Sequence, residues 1–461
     1  MTGGQGPAIR VSAIAVAAFV SAACPAAADT LVGALAQAYQ VNPQLNSQRA
    51  IVRQTDEGVP QALAGYRPRF NATAQAGNQF TWTVLENGIK NRSSTQPRSV
   101  AVTGQQTLFN GFQTGNRTRA AESQVFAARE TLRVIEQTVL LDAATAYMNV
   151  LRDAAILEVQ RSNVRVLGET LRQTRDRFNV GEVTRTDVAQ SQAQLAAGQS
   201  QMLAAESNLT TSNATYRRVI GSEPSKLAPG MPVDRLSPRT LAGAIDSGIA
   251  ANPAVTAATY GVDVAQLQVK ISEGVLYPTV TLQGNITRAH EPQTSIKEQF
   301  TASILGVVTI PIYQGGSEYS VIRQSKELLG QRRLDLATTR DQARATVVQA
   351  WGQHEAAKAQ IQAAQEQVTA SEVALNGVRE EARVGQRTTL DVLNAQQALV
   401  NARVALVTAQ RDRVVASYTL LSAVGRLSPE ILGLRIPVYD PMVHYQQVRD
   451  AWGGVRTPDG R

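Results

Sequence analysis

The sequence has 461 residues, of which 43% are hydrophobic but only 5% aromatic, with alanine making up much of the apolar share. So few large rings argue against stacked compact cores, whereas Ala- and Gln-rich stretches suit helices packed side by side along their length, so an elongated molecule is predicted. The net charge of +8 comes from arginines scattered among acidic residues, without a clustered basic stripe or interleaved aromatics, so no nucleic-acid partner is expected.

In chain order, Arg10, the apolar run Val11 to Ala22 and Ala26-Ala27-Ala28 before Asp29 read as a secretory signal peptide over residues 1–28. The one cysteine, Cys24, falls inside it, which leaves a mature chain without thiols. Lipidation of Cys24 is the competing reading, but Ser21-Ala22-Ala23 lacks the leucine such signals usually carry. No later stretch approaches the ~18 apolar residues of a membrane helix, so any membrane entry would be as a β-barrel.

The first repeat is placed at 29–236. It begins with a helix from Thr30 to Gly65 that stops before Pro68, followed by a β-hairpin over 69–108. Phe70, Ala72, Ala74, Ala76, Phe80, Trp82 and Val84 share one strand face, while Arg69, Asn71, Thr73, Gln75, Gln79, Thr81 and Thr83 share the other. The polar stretch Glu86 to Pro97 reads as a loop, and Val100, Val102 and Leu108 mark the return strand. After Asn110-Gly111 comes a long helix, 116–178, roughly 95 Å at ~1.5 Å per residue. A turn at Val180-Gly181 leads into a helix over 187–220.

The second repeat, 237–434, has the same order. A helix from Pro238 to Leu276 precedes a hairpin over 279–310, marked by Val280, Leu282 and Ile286 outbound and Phe300, Ala302, Ile304 and Val308 returning. Gly315-Gly316 opens a long helix, 317–383, and Val384-Gly385 turns it into a helix over 391–424. The tail, 435–461, has no periodicity and is assigned no role. Asn42-Pro43 returns as Asn252-Pro253, 210 residues on, while Val180-Gly181, Asp187 and Gly221 return as Val384-Gly385, Asp391 and Gly425, 204 residues on. The six-residue difference lies between Pro68 and Phe109, so one hairpin carries an insertion.

Four strands of about ten residues match a bilayer span but cannot close a barrel, and an open edge in lipid leaves backbone groups unpaired at several kcal/mol each. Two or more copies must therefore join. Heptad rows at Val347, His354, Ile361, Val368, Leu375 and Ala382 on one helix and Val392, Leu399, Leu406 and Leu420 on its partner predict a coiled coil, with Arg413 interrupting the second row. A passive porin would leave the long helices without purpose, and a periplasmic scaffold or adaptor would leave the strands unpaired.

The two turns, Val180-Gly181-Glu182-Val183-Thr184-Arg185-Thr186-Asp187-Val188 and Val384-Gly385-Gln386-Arg387-Thr388-Thr389-Leu390-Asp391-Val392, set in duplicated halves behind a signal peptide, resemble those of the TolC outer-membrane efflux family over about Asp29 to Leu434. The resemblance implies a mainly α fold with a small β part. It further implies a homotrimer with a twelve-stranded β-barrel in outer-membrane lipid and a long antiparallel coiled-coil α-barrel in the periplasm. Docking onto a periplasmic adaptor and an inner-membrane pump of ABC or RND type, for type I secretion or multidrug efflux, is also implied. Thr186, Asp187 and Arg387 match the family's gate partners, Asp391 matches a position lining the narrow end, and Val180, Gly181, Val384 and Gly385 form the tip turns at which an adaptor would dock. Two positions depart from the pattern: Ala382 stands where the family has a gate tyrosine, and Asn394 where it has a second pore aspartate. Asp187 and Asp391 equally suit capping of the helices that follow the turns.

Phe80, Trp82, Tyr277 and Phe300 are the candidate membrane-interface aromatics. His290, His354 and His444 share no metal-ligand spacing, no nucleophile–base motif stands out, and the glycine turns lack the lysine of a phosphate loop, so neither cofactor nor catalysis is expected.

Overall fold

A computed structural model describes residues 29–460, so the expected signal peptide and Cys24 lie outside the described residues. The first half contains α1 (Leu31–Val41), α2 (Pro43–Asp56), α3 (Gly58–Leu63), β1 (Arg69–Ala76), β2 (Gln79–Val84), β3 (Lys90–Thr95), β4 (Arg98–Asn110), α4 (Gln113–Asn179) and α5 (Arg185–Ile220). The second contains α6 (Leu241–Ala251), α7 (Pro253–Glu273), β5 (Thr279–Gln293), β6 (Ile296–Thr309), α8 (Ser317–Arg383) and α9 (Thr389–Ala423), and the tail adds α10 (Pro441–Val448).

Three expectations change. The opening helix of each half is broken at its Asn-Pro pair. Asn42 leaves the helical region and its Oδ1 accepts from Gln44 N at 2.9 Å, while Asn252 Oδ1 accepts from Ala254 N at 2.9 Å. Proline then supplies the first helical residue, whose missing N–H costs nothing there. The expected loop 86–97 contains β3, which pairs with β2 as a separate two-stranded ribbon. The tail carries a helix too short to show a period, docked on α2 through His444 Nδ1, which lies 3.0 Å from the buried Asp56 carboxylate.

The helices form one wall. On one side α4 packs against α5, α1 and α2, on the other against α7 and α9; α8 packs on α7 and α9 and forms an edge of the wall. The main core lies at mid-length, where Leu35, Tyr39, Leu140, Tyr147, Tyr216, Leu420, Leu421 and Leu427 are buried. Burial pushes the Tyr147 phenol up to about 12, so it remains a donor, placed 2.7 Å from Asp29 O and 2.6 Å from Ala228 O. No described helix is long and apolar enough to cross a membrane.

Candidate functional site

The sheet has the order β1-β4-β5-β6, antiparallel throughout, and among the described residues neither edge strand has a partner on its outer side. Its register sorts side chains by face, because directly opposed residues share a side. One face carries the rows Ala74, Val100, Arg288, Phe300; Ala72, Val102, Ile286, Ala302; and Phe70, Gly104, Gly284, Ile304. The other carries Thr73, Ala101, Thr287, Thr301 and Asn71, Thr103, Asn285, Ser303. The apolar face is bare: Phe300 is 70% and Ile304 79% exposed. The Phe70 ring crowds Gly104, where a Cβ would stand 2.9 Å from its Cε1. At the corner between sheet and helices, a Cβ on Gly274 would stand 2.7 Å from Gly111 O, so two glycines let the two halves approach there.

Of the four candidate aromatics, Tyr277 stands just before β5, at the helix-side end, and Phe300 lies nearer the far end of the apolar face. Phe80 and Trp82 fall on the separate ribbon, where Trp82 opposes Arg92 and that guanidinium stacks 4.9 Å from the ring. The ribbon stands beyond the four-stranded sheet.

At the opposite end, both helix hairpins turn through a glycine at φ +80°, Gly181 and Gly385, leaving Val180 and Val384 exposed. Glu182 N donates to Arg177 O and Gln386 N to Glu381 O, each at 2.9 Å, closing the two long helices in the same way. The helices that follow start two residues earlier than expected, because Thr184 and Thr388 are the caps. Asp187 Oδ2 accepts from Thr184 N at 2.9 Å and Asp391 Oδ2 from Thr388 N at 3.0 Å, completing two capping boxes. These hydrogen bonds, side-chain and backbone from Thr184 and Thr388, hold both carboxylates below the usual range.

Asp187 does not meet Arg387 within the protomer. Arg387 Nε donates instead to Glu381 at 2.8 Å, and in the first tip Arg177 Nε donates to Glu182 at 2.9 Å. Superposing the tips by the 204-residue offset puts Glu381 where Arg177 stands, so the two ion pairs are oppositely polarised. Thr186 and Asn394 are exposed and Ala382 is half-buried.

Sequence reading missed the polar groups that fasten the wall. Arg413, which interrupts a heptad row, and His354, which sits in one, both meet Asp234 from the strap between α5 and α6: His354 Nε2 is 2.8 Å from Asp234 Oδ1, and Arg413 holds both carboxylate oxygens. Partial burial raises the Asp234 carboxyl, but the hydrogen bonds from Arg413 and His354 together outweigh it and leave it below the usual range. Two polar residues in hydrophobic rows were the available signal. Lower down, buried Gln396 links Asn163 of α4, at 3.3 Å, with Arg379 of α8, at 3.0 Å. Among the described residues no His, Cys, Asp and Glu cluster could hold a metal.

Residues 34–222 and 244–426 each match the profile of the family described as Outer membrane efflux protein. The chain belongs to that family. It is 43% identical over 440 residues to the outer membrane efflux protein BepC of Brucella suis, spanning 95% of this chain and 94% of that one, and 28% identical over 425 residues to the outer membrane protein TolC of Vibrio cholerae, spanning 87% and 92%. Among solved structures, the CmeC outer membrane channel of Campylobacter jejuni superposes with a TM-score of 0.78 at 16% identity over 91% of this chain and 89% of that one, a likeness of fold. The two matched segments repeat the internal duplication. This outer membrane efflux protein is thus a TolC-like channel, mainly α with a small β part, seated in the outer membrane with its helical wall in the periplasm.

Proposed function

We propose that three copies of this channel close a twelve-stranded barrel and a continuous helical duct, which receives substrates from a periplasmic adaptor and an inner-membrane pump and passes them to the exterior. The sheet is the observation that carries this. A four-stranded sheet with an apolar outer face, a polar inner face and two bare edges is stable in lipid only when copies join edge to edge. Two copies would give eight strands, an interior that side chains fill, whereas twelve leave room for water. From Tyr277 to the row of Phe300 the strand advances roughly 36 Å at ~3.3 Å per residue, or about 28 Å across a bilayer at ~40° tilt, which suits aromatic girdles at the two rims of the apolar band. In this arrangement Phe80 and Trp82 stand outside the cell.

The tips form the periplasmic mouth. Val180, Gly181, Val384 and Gly385 offer two near-identical exposed turns for an adaptor, of opposite polarity, which would fix which part of the adaptor meets which tip. The gate would close when Thr186 and Asp187 of one tip bond Arg387 of a neighbouring tip, with Asp391 adding a carboxylate ring; Ala382 and Asn394 provide fewer bonds to hold it shut. The relatives include an alkaline protease secretion protein and a pyoverdine export protein of Pseudomonas aeruginosa, so both type I secretion and small-molecule efflux lie within the reading.

The test is membrane fractionation of the full chain followed by electrophoresis with and without heating. An outer-membrane species that migrates as a trimer until boiled is expected. Recovery as a monomer from the soluble periplasm would defeat the proposal.

A further inference from the structure

We propose that the C-terminal tail is a membrane anchor: Trp452, held by Arg67 at the helix-side rim of the sheet, seats in the phospholipid headgroup layer of the periplasmic leaflet. The proposal rests on the channel reading for its orientation.

The tail leaves the mid-length core, where Leu427 and Leu434 are buried, and climbs toward the sheet along α2. Its attachments give the path. Tyr439 N donates to Tyr39 Oη at 3.3 Å, His444 meets Asp56 at 3.0 Å, and Arg449 lies 3.8 Å from Glu122. Arg67 Nη1 then donates to Ala451 O at 2.6 Å, and Asp459 lies 3.7 Å from Arg53. A segment tied at this many places is positioned by the fold.

Its end point is the edge of the apolar band. Arg67 immediately precedes Pro68 and β1, and Tyr66 O accepts from Gln106 Nε2 at 3.3 Å. Gln106 pairs with Leu282, on the apolar side of the sheet, so Arg67 stands within a residue or two of the lipid-facing surface. Its guanidinium lies 4.6 Å from the centre of the Trp452 ring. That indole is 75% exposed, and Val455 beyond it is fully exposed at 100%. In water most of the indole stays uncovered, but at a headgroup boundary the ring gains an apolar bed while its N–H stays hydrated. Arg67 and Arg456 have no carboxylate partner among the described residues, and lipid phosphates supply the anionic acceptors that such guanidinium groups bind most strongly. The apolar band itself begins beside this point, so the anchor continues a surface already committed to lipid.

Because the chain has three tryptophans, Trp82, Trp351 and Trp452, fluorescence can isolate each. The full chain carrying Trp82→Phe and Trp351→Phe is reconstituted in vesicles of phosphatidylcholine and phosphatidylglycerol brominated near the headgroup end of the acyl chain. Trp452 should lose most of its emission there, and Arg67→Ala should restore much of it. A parallel chain lacking all three tryptophans but carrying Phe300→Trp reports whether the sheet itself is inserted. Quenching of Phe300→Trp together with Trp452 emission quenched only by aqueous iodide would overturn the anchor and leave the channel standing. Absence of lipid quenching at both positions would overturn the channel reading and the anchor with it.

Discussion

The two long helices α4 and α8 have the same 67-residue length and the same place in their repeats, yet they live in different surroundings. On both sides α4 is covered: Leu132, Leu140, Tyr147, Leu157, Leu167 and Leu171 are buried, together with Gln137, Asp153, Gln160 and Asn163. On α8 the buried residues follow one stripe, which from mid-helix onward runs through Ala343, Val347, Ala350, His354, Ala357, Ala364, Val368 and Leu375. Opposite that stripe stand Leu334, Val348 and Val373, with Leu334 70% and Val373 69% exposed. Their spacings of 14 and 25 residues are close to whole numbers of helical turns, so the three side chains share a face. The duplicated helices differ with their position in the wall: α4 has partners on two sides, whereas α8 has them on one and leaves these apolar side chains uncovered on the other.

The largest effect should follow from attacking that edge. Leu334→Arg combined with Val373→Arg places two charges where each side chain would otherwise contribute about 1.5–3 kcal/mol of burial per subunit contact. The expected result is loss of the unheated trimer on electrophoresis, while a matched pair on the ribbon, Phe80→Arg with Ile89→Arg, keeps it. Trimer retained by the α8 variant would mean that α8 is not an interprotomer edge.

Next comes the fastening inside the protomer. Asp234→Ala leaves His354 and Arg413 facing each other without the carboxylate that holds both, a loss on the order of 2 kcal/mol for partly buried charged hydrogen bonds. A lower thermal midpoint for the trimer in detergent is expected, with conductance unchanged. An unaltered midpoint would assign the strap no stabilising role.

These two regions also mark how far sequence alone reaches. The duplication and the two-faced strands were legible because helix turns, barrel spans and lipid impose periodicities that any sequence must obey. β3 was not legible: Lys90-Asn91-Arg92-Ser93-Ser94-Thr95 has no apolar alternation, and the ribbon leaves both its faces largely exposed. Arg413 and Asp234 are 179 residues apart, and no periodic pattern links a heptad position to a strap. Asn42-Pro43 served as a repeat landmark, although the chemistry that makes it recognisable also breaks the helix. α10 fell below the length at which a 3.6-residue period can be seen. At the tips the turns themselves were readable, but the partner of Arg387 was set by Glu381 on the same hairpin, six residues away.

The tips then give a prediction of sign. If Arg387 closes the gate across tips, its bond to Glu381 competes with closure. Arg387→Ala and Asp187→Ala should raise single-channel conductance in planar bilayers, and Glu381→Ala should lower it by releasing Arg387 to the neighbouring tip. Because the Arg387–Glu381 pair is solvent-exposed, these changes in open population should be small and should shrink further as salt is added. Thr184→Ala removes the cap but keeps the Asp187 carboxylate, so it separates loss of capping from loss of the gate bond. Equal conductance in the Arg387, Asp187 and Glu381 variants would take these residues out of the gate.

The smallest effect concerns acid. The folded state holds the carboxyls of Asp187 and Asp391 below their ordinary value, so the capping boxes are fully formed above pH 3.8 and are lost as pH falls through the lowered values beneath it. Asp56 behaves oppositely. Burial raises its carboxyl despite His444 and Arg129, so docking of the tail gains from protonation below pH 3.8 and loses that gain as pH rises through the elevated value. Acidification should therefore loosen the tips while leaving the tail seated. Because Cys24 is the only cysteine and precedes Asp29, single-cysteine spin labels at Val180, Val384 and Tyr445 can follow the two ends separately in a chain that starts at Asp29. As pH falls from 5 to below the ordinary aspartate value of 3.8, labels at Val180 and Val384 should become more mobile and the label at Tyr445 should not, since of these two ends it is the tips that are fastened by carboxylates the fold keeps ionised. Loosening at Tyr445 first would place the acid-sensitive contact at the tail, with the ionised Asp56 carboxylate as its fastening.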